Sequence, residues 1–155
     1  MIIRILTIGN KMPSWVNAGF LDYAKRFTSP HTLELCEIPL EKRTKNANIA
    51  RLIEREGEKL VAAIKPGNTV IALDVKGRSL STKQLTIQLN TWQRDGRHID
   101  LLIGGPDGLS PTCIQTADLT WSLSPLTLPH PLVRVILAEQ LYRAVSILQH
   151  HPYHR

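Results

Sequence analysis

Short strand-like segments alternate along this chain with segments whose apolar residues recur at helical spacing. The predicted strands cover residues 2–8, 32–38, 69–75 and 99–103. The third is a continuous apolar run, which is typical of a strand buried on both faces of a sheet. Helices are predicted between the strands: one opens at Pro13, one carries apolar residues from Ile49 to Ile64, and one is capped by Ser81. Strands separated by helices imply βαβ units, so we predict an α/β fold with a mostly parallel sheet flanked by helices.

The last predicted helix, over residues 131–149, is apolar around most of its circumference. A helix of this kind must be buried on nearly every side. Two interpretations are open: it is a central helix of the core, or it lies on the sheet with one side and meets a second subunit with the other. Two-fold homodimers are the commonest oligomers, so a homodimer is expected if a partner subunit exists.

Length and charge restrict the class of protein. The 155 residues suit one domain over residues 1–155, and 19 Lys and Arg against 13 Asp and Glu give a formal net charge of +6. This excess attracts polyanions, of which RNA is the commonest in cytoplasm, although a basic protein without a nucleic-acid role is an open alternative. No apolar run approaches the ~18 residues that cross a bilayer and no secretory leader is recognisable, so we expect a cytoplasmic protein that is not held in a membrane. Cys36 and Cys113 are too few for a disulfide framework and lack metal-ligand spacing, so no metal is expected.

A glycine-rich segment over residues 101–111 is the first candidate for a binding site. A buried strand leads into Gly104, Gly105 and Gly108, and Ser110 and Pro111 then suit the N-cap and first turn of a helix. Glycines at such a position let the backbone approach a ligand without interference from a Cβ atom. The segment lacks the Gly-Lys-Ser/Thr of a phosphate-binding loop and the spacing of a Rossmann fingerprint. A plain tight turn is the alternative.

A proline-rich segment over residues 121–131 is the second candidate. Pro125, Pro129 and Pro131 exclude a helix here and predict a stiff, extended loop. Such a loop mixes apolar side chains with free backbone groups, and it could hold an adenine by its edge while burying its faces. The alternative is a rigid connector into the last helix.

The C-terminal residues 150–155 are the third candidate. They combine three histidines with Tyr153 and Arg155, without any Cys, Asp or Glu that would favour a metal site. Tyr and His side chains can stack on a base while Arg pairs with phosphate, so the tail could contact RNA. A solvated tail is the alternative.

Several segments of the chain resemble one family when they are taken together. They are Asn10-Lys11-Met12-Pro13, Leu73-Asp74, residues 102–109, residues 126–134 and residues 151–155. In these segments, and in its length, the chain resembles the RlmH family, SPOUT-class methyltransferases that N3-methylate the pseudouridine at position 1915, in helix 69 of 23S rRNA. The resemblance implies a SPOUT-type fold with a C-terminal trefoil knot, a homodimer, S-adenosylmethionine (SAM) as cofactor, and the assembled ribosome as substrate. The SAM contacts that it implies are Leu73, Gly104, Gly105, Leu123, Ser124, Pro125, Leu126, Thr127 and Leu128.

Three further residues are candidates for the chemistry. The N3 imide of pseudouridine must lose a proton, and our hypothesis for the acceptor is His130, which follows the proline-rich loop. Tyr153 and Arg155 are candidates for holding the target nucleotide, and in a homodimer they could serve the neighbouring subunit. Two other functions are open: a non-catalytic, ribosome-associated RNA-binding protein, and a nucleotide-using enzyme on a Rossmann-like sheet.

Overall fold

A computed structural model describes residues 1–9 and 11–155, so Asn10 of the first resembling segment lies outside the described residues. The strands are β1 (Ile2–Ile8), β2 (Thr32–Ile38), β3 (Thr69–Ser79), β4 (Ile99–Ile103) and β5 (Leu119–Ser122). The helices are α1 (Ser14–Ala24), α2 (Ile49–Ala63), α3 (Thr82–Arg94), α4 (Pro111–Thr116), α5 (His130–Leu148) and a final 3₁₀ turn (Pro152–His154).

The five strands form one sheet in the order β2-β1-β4-β3-β5. Every neighbouring pair is parallel. The predicted α/β class with a parallel sheet flanked by helices is therefore confirmed. The trefoil knot is consistent with this strand order and stays a prediction, as does the assignment of residues 1–155 to one domain.

Hydrogen bonds with capping residues fix the N-terminal ends of α3 and α4. Ser81 Oγ accepts a hydrogen bond from the backbone N–H of Gln84 at 3.1 Å, and the Gln84 side chain accepts one from the Ser81 N–H at 2.8 Å. This reciprocal pair satisfies two amides that have no partner within a helix. Ser110 likewise caps α4 by accepting from the N–H of Cys113 at 3.3 Å. Both predicted caps are confirmed.

The fifth strand was not predicted, and β3 is longer than predicted. The two strands pair with a register shift between Leu73 and Arg78. Gly77 lies inside the shift, where a Cβ atom would stand 2.7 Å from backbone atoms of Thr120 and Trp121. β5 is short and is defined by its pairing with β3 on both sides of the shift, at Ile71–Leu73 and at Arg78–Ser79, and the residues of β5 alone do not indicate this pairing.

Helices cover both faces of the sheet. α1, α3 and α5 share one apolar core with the strands, and α2 and α4 share the other. α5 packs against both α1 and α3, so much of its apolar circumference is buried within its own chain. The structure thus favours the central-helix interpretation, while the homodimer stays a prediction. Among the described residues, no helix is both long and apolar enough to cross a membrane.

Candidate functional site

The carboxyl ends of the strands bring the predicted site segments together. Because all strands are parallel, the loops that follow β1, β2, β4 and β5 leave the sheet at one edge, where ligands of open α/β sheets bind. The glycine-rich turn follows β4 and the proline-rich loop follows β5. α5 also begins here, with His130 as its first residue.

Two adjoining cavities lie at this edge, and we refer to them together as the cleft. The first encloses about 210 Å³ and is lined by Leu73, Asp74, Val75, Ser122, Leu123, Ser124, Leu126, Thr127, Leu128 and Val133. The second encloses about 380 Å³ and is lined by Leu73, Ile103, Gly104, Gly105, Pro106, Gly108, Leu128, Pro129, His130 and Val133. Leu73, Leu128 and Val133 line both cavities. The cleft therefore runs from β5, over the middle of β3, to the glycine turn.

The structure brings most of the predicted cofactor residues to the cleft. Its lining includes Leu73, Gly104, Gly105, Leu123, Ser124, Leu126, Thr127 and Leu128. Pro125 lies in the same loop but outside the lining of these two cavities. His130 lines the second cavity beside the glycine turn. Asp74 and Val133 also line the cleft, although neither of them is assigned a role from the sequence. Asp74 belongs to a segment that resembles the RlmH family, and Val133 follows the proline-rich loop.

The proline-rich loop is held by its own hydrogen bonds. Ser122 Oγ donates to the carbonyl of Ser124 at 3.2 Å, and the N–H of Leu126 donates to Ser124 Oγ at 2.9 Å. The side chain of Leu126 is 73% exposed. The loop is therefore preorganised, so that ligand binding costs less ordering entropy.

The glycine turn needs its glycines for a reason that differs from the one expected. A Cβ atom on Gly104 would stand 2.4 and 2.5 Å from the carbonyl carbon and oxygen of Gly108, and 2.7 Å from the nitrogen of Leu109. The chain folds back on itself here, and the N–H of Gly108 donates to the carbonyl of Gly105 at 3.1 Å. At Gly104, therefore, it is the close approach of the chain to its own backbone that requires glycine.

A buried ion pair fixes the glycine turn to the rest of the molecule. Arg43 donates to both carboxylate oxygens of Glu56, which is 2% exposed, and to Asp107 of the turn at 3.0 Å. Two charges taken out of water need such mutual pairing to be tolerated. Sequence patterns do not reveal this link because its residues are far apart in the chain.

His130 is half-buried against the end of β1. Its Nε2 lies 3.4 Å from Thr7 Oγ1. Burial lowers the pKa of His130 below 6.5, the positive charge of Arg134 lowers this pKa further, and a hydrogen bond with the backbone of Ile8 opposes both effects. The imidazole is therefore neutral at neutral pH and can accept a proton.

Arg134 is fully buried one helical turn beyond His130. It donates to Glu37 at 2.8 Å and to the carbonyl of Gly9 at 2.6 Å, so that it joins α5 to the ends of β1 and β2. Its Nε has no hydrogen-bond partner among the described residues. Arg134 is the only charged residue between Pro131 and Ala138 of α5, and a single Arg in such an apolar stretch is a sequence signal that could have revealed this role.

The C-terminal tail is packed against its own chain and away from the cleft. Tyr153 donates to Glu139 at 3.1 Å, and its ring lies 4.8 Å from that of Tyr142. Burial, together with hydrogen bonds to Tyr23 and Glu139, raises the pKa of Tyr153 to about 12. Because Glu139 lies nine residues after His130, at 1.5 Å per residue the two are about 13 Å apart along α5. The structure therefore does not bring Tyr153 to the cleft of the same chain, and Arg155 follows it at the exposed end.

The part of the chain that the structure describes contains no cluster of side chains suited to bind a metal ion. No group of three or more His, Cys, Asp and Glu side chains there could hold an ion.

Fold and site together define an α/β protein whose ligand cleft lies at the carboxyl edge of a parallel sheet.

Residues 1–154 match the family model described as "predicted SPOUT methyltransferase". The chain therefore belongs to the SPOUT methyltransferase family.

Solved structures of methylase family proteins share the fold. One from Neisseria gonorrhoeae is 13% identical with a TM-score of 0.53, and the match covers 90% of this chain and 81% of that one. One from Haemophilus influenzae Rd KW20 is 14% identical with a TM-score of 0.57, and covers 96% of this chain and 68% of that one. At these identities the likeness concerns the fold alone.

Proposed function

We propose that this chain is a SAM-dependent methyltransferase that N3-methylates a pseudouridine in helix 69 of 23S rRNA on the assembled ribosome. Membership of the SPOUT family supplies the methyltransferase class. The resemblance to the RlmH family implies SAM as the cofactor, a pseudouridine as the target nucleotide and the assembled ribosome as the substrate. The observation that carries the proposal is the cleft, which collects residues of the glycine turn and the proline-rich loop together with His130. Because ribosomes are cytoplasmic, this proposed substrate also implies a cytoplasmic protein.

The lining of the cleft fits SAM. Leu73, Leu128 and Val133 offer apolar contacts to the faces of an adenine where the two cavities meet. The carboxylate of Asp74 accepts one hydrogen bond from the N–H of Lys76 at 2.8 Å and has further lone pairs for hydroxyl groups. The cavities together fall within the range of roughly 300–1,000 Å³ that is usual for ligand sites. When bound, SAM supplies a methyl group that its sulfonium makes electrophilic.

His130 is the proposed acceptor of the N3 proton. Its neutral state at working pH, which follows from its lowered pKa, leaves one ring nitrogen free to accept. Its place in the lining of the second cavity puts it beside the glycine turn. Arg134 acts through it as a positioning residue, since it holds the backbone of Gly9, where an added Cβ would stand 3.9 Å from His130 Nε2.

Tyr153 and Arg155 are proposed to hold the target nucleotide in the cleft of a second subunit. The packing of the tail on the far half of α5 keeps Tyr153 away from its own cleft, so this role requires the proposed homodimer. The raised pKa of Tyr153 keeps the phenol protonated at neutral pH. It is therefore suited to donate a hydrogen bond or to stack, and it is not suited to act as a base.

Methyl transfer from labelled SAM to ribosomes tests the proposal. The ribosomes come from a strain that lacks this protein, and the modified nucleotide is mapped afterwards. We expect one methyl group per 23S rRNA at the N3 of a helix 69 pseudouridine, and a large loss of rate in His130→Ala with SAM affinity retained. His98→Ala, at the opposite edge of the sheet, is the matched control.

Calorimetry with SAM separates this proposal from the non-catalytic alternative. A ribosome-associated RNA-binding protein without catalysis would bind no SAM. Normal turnover in His130→Ala, with SAM affinity unchanged, would remove His130 from its proposed role.

A further inference from the structure

A third cavity lies at the same edge of the sheet, between the loops that follow β1 and β2. It encloses about 470 Å³ and is lined by Lys11, Pro39, Leu40, Glu41, Lys42 and Arg43, and we refer to it as the basic groove. A Cβ atom on Gly105 would lie 3.2 Å from Leu40 Cδ1, so a wall of the basic groove touches the glycine turn of the cleft. The basic groove and the cleft are therefore neighbours.

Two cations of the basic groove are free to bind an external anion. Glu41 is already paired with Lys59 at 2.7 Å, and Arg43 is engaged by Glu56 and Asp107. Lys11 and Lys42 are exposed, and neither takes part in an ion pair with any residue that the structure describes. The basic groove thus presents two uncompensated ammonium groups.

The wall of the basic groove is held by hydrogen bonds to a buried carboxylate. Arg43 donates to the carbonyl of Glu41 at 2.9 Å, and the N–H of Glu41 donates to the buried Glu56 at 3.0 Å. Because the loop is held through Glu56, it does not need to be ordered when a ligand binds. Arg43 also bonds Asp107, so the same clamp fixes the groove relative to the cleft.

Trp15 adds an exposed aromatic surface at this edge. It lies in the first turn of α1, four residues after Lys11, and is 55% exposed, whereas Trp92 and Trp121 are buried. Leu126, in the proline-rich loop of the same edge, is also exposed. An exposed indole at the same edge as unpaired cations is a combination suited to unpaired nucleotides, because the indole can stack on a base while the cations pair with phosphates.

We infer that Lys11 and Lys42 bind the phosphates of a single-stranded RNA segment and that Trp15 stacks on one of its bases, so that the strand is led across the basic groove to the cleft. This inference rests on the proposed function, because it takes the substrate to be RNA. It assigns the contacts that dock the substrate, which are separate from the residues that hold SAM or accept the proton.

Salt-dependent binding of a fluorescently labelled helix 69 hairpin tests the two lysines. Each phosphate contact on a single strand contributes about 0.7 to the slope of log K against log salt, so Lys11→Ala/Lys42→Ala should lower that slope by ~1.4. By the same scaling, affinity at about 50 mM salt should fall on the order of fifty-fold. The control is Lys65→Ala/Arg94→Ala, which removes two exposed charges remote from the groove. It should keep the slope of the wild type.

Stacking is tested by the fluorescence of Trp15. Hairpin binding should quench the indole emission of Trp15 and protect it from acrylamide, and Trp15→Ala should bind about tenfold more weakly with the salt slope unchanged. Leu21→Ala, which truncates another exposed side chain of α1, is the matched control and should bind normally. Melting curves establish that each variant is folded.

The outcomes separate this inference from the proposed function. If the wild type binds the hairpin and Lys11→Ala/Lys42→Ala keeps the same salt slope and affinity as Lys65→Ala/Arg94→Ala, the docking residues are wrong while methyl transfer to ribosomes can still be observed. If methyl transfer is absent, and Lys11→Ala/Lys42→Ala and Trp15→Ala lose hairpin binding while their control variants keep it, the docking inference holds and the proposed reaction fails.

Discussion

Adding one methyl group at Gly104 should open the glycine turn. In Gly104→Ala the new Cβ would stand 2.4 to 2.7 Å from three backbone atoms, whereas carbon atoms in contact are usually about 3.5–4.0 Å apart. No side chain can rotate away, so the two strands of the turn must separate by roughly 1 Å. Overpacking of this kind costs about 1–3 kcal/mol, and loss of the bond from Gly108 to Gly105 adds about 1 kcal/mol. We expect a loss of about 2–4 kcal/mol in the free energy of unfolding.

Gly105→Ala is the matched control for this prediction. The three atoms nearest to its Cβ would be side-chain atoms of Ile8, Leu40 and Glu56, at 3.1 to 3.4 Å, and these can shift by a few tenths of an ångström. We expect a cost of about 1 kcal/mol or less. Urea unfolding measures both variants, and calorimetry with SAM measures binding, which should be lost in Gly104→Ala and weakened less in Gly105→Ala. Equal stability of the two variants, with equal SAM affinity, would refute this account of the turn.

Three other predictions concern charged and titratable groups. In an NMR titration the pKa of His130 should lie below 6.5 and should rise in Arg134→Gln, and an unchanged pKa in the variant would contradict the role of Arg134. Because the folded-state pKa lies below the unfolded value of 6.5, the stability contribution of His130 falls as the pH drops below 6.5, and any activity of the neutral imidazole is lost as the pH falls through the folded-state pKa. Arg43→Met should lower the free energy of unfolding by about 3–5 kcal/mol because it leaves Glu56 buried and unpaired, and adding Glu56→Gln should restore part of the loss. Comparison of the absorbance of wild type with Tyr153→Phe should show a phenol that titrates at about 12, and a midpoint near 10 would mean that the tail is solvated.

Much of the secondary structure was predictable from neighbouring residues. The bounds of β1, β2 and β4 agree with the predicted strands, and the caps at Ser81 and Ser110 were recognised from residue type alone. These features depend on periodicity and on hydrogen bonds between residues three positions apart, which sequence displays directly. β5 was missed because four residues carry too little pattern of their own and the strand depends on pairing with β3.

The site was predictable in part. The glycine-rich and proline-rich segments stood out in the sequence, and the resemblance to a family assigned residues within them. Their meeting in one cleft follows from parallel strands ending at one edge. The tail was expected to be solvated or to contact RNA. Tyr153 packs on α5 through Glu139, the other tail residues are exposed, and contact of the tail with RNA stays a prediction.

The sequence by itself determined the α/β class, the excess of positive charge and the two segments that border the cleft. Only the tertiary structure decided that Arg43 clamps the glycine turn through Glu56, that Arg134 holds the end of β1, and that Lys11 and Lys42 keep free charges in one groove. The physical reason is the range of the interactions: propensity and capping act within a few residues, whereas an ion pair or a cavity depends on residues that only folding brings together.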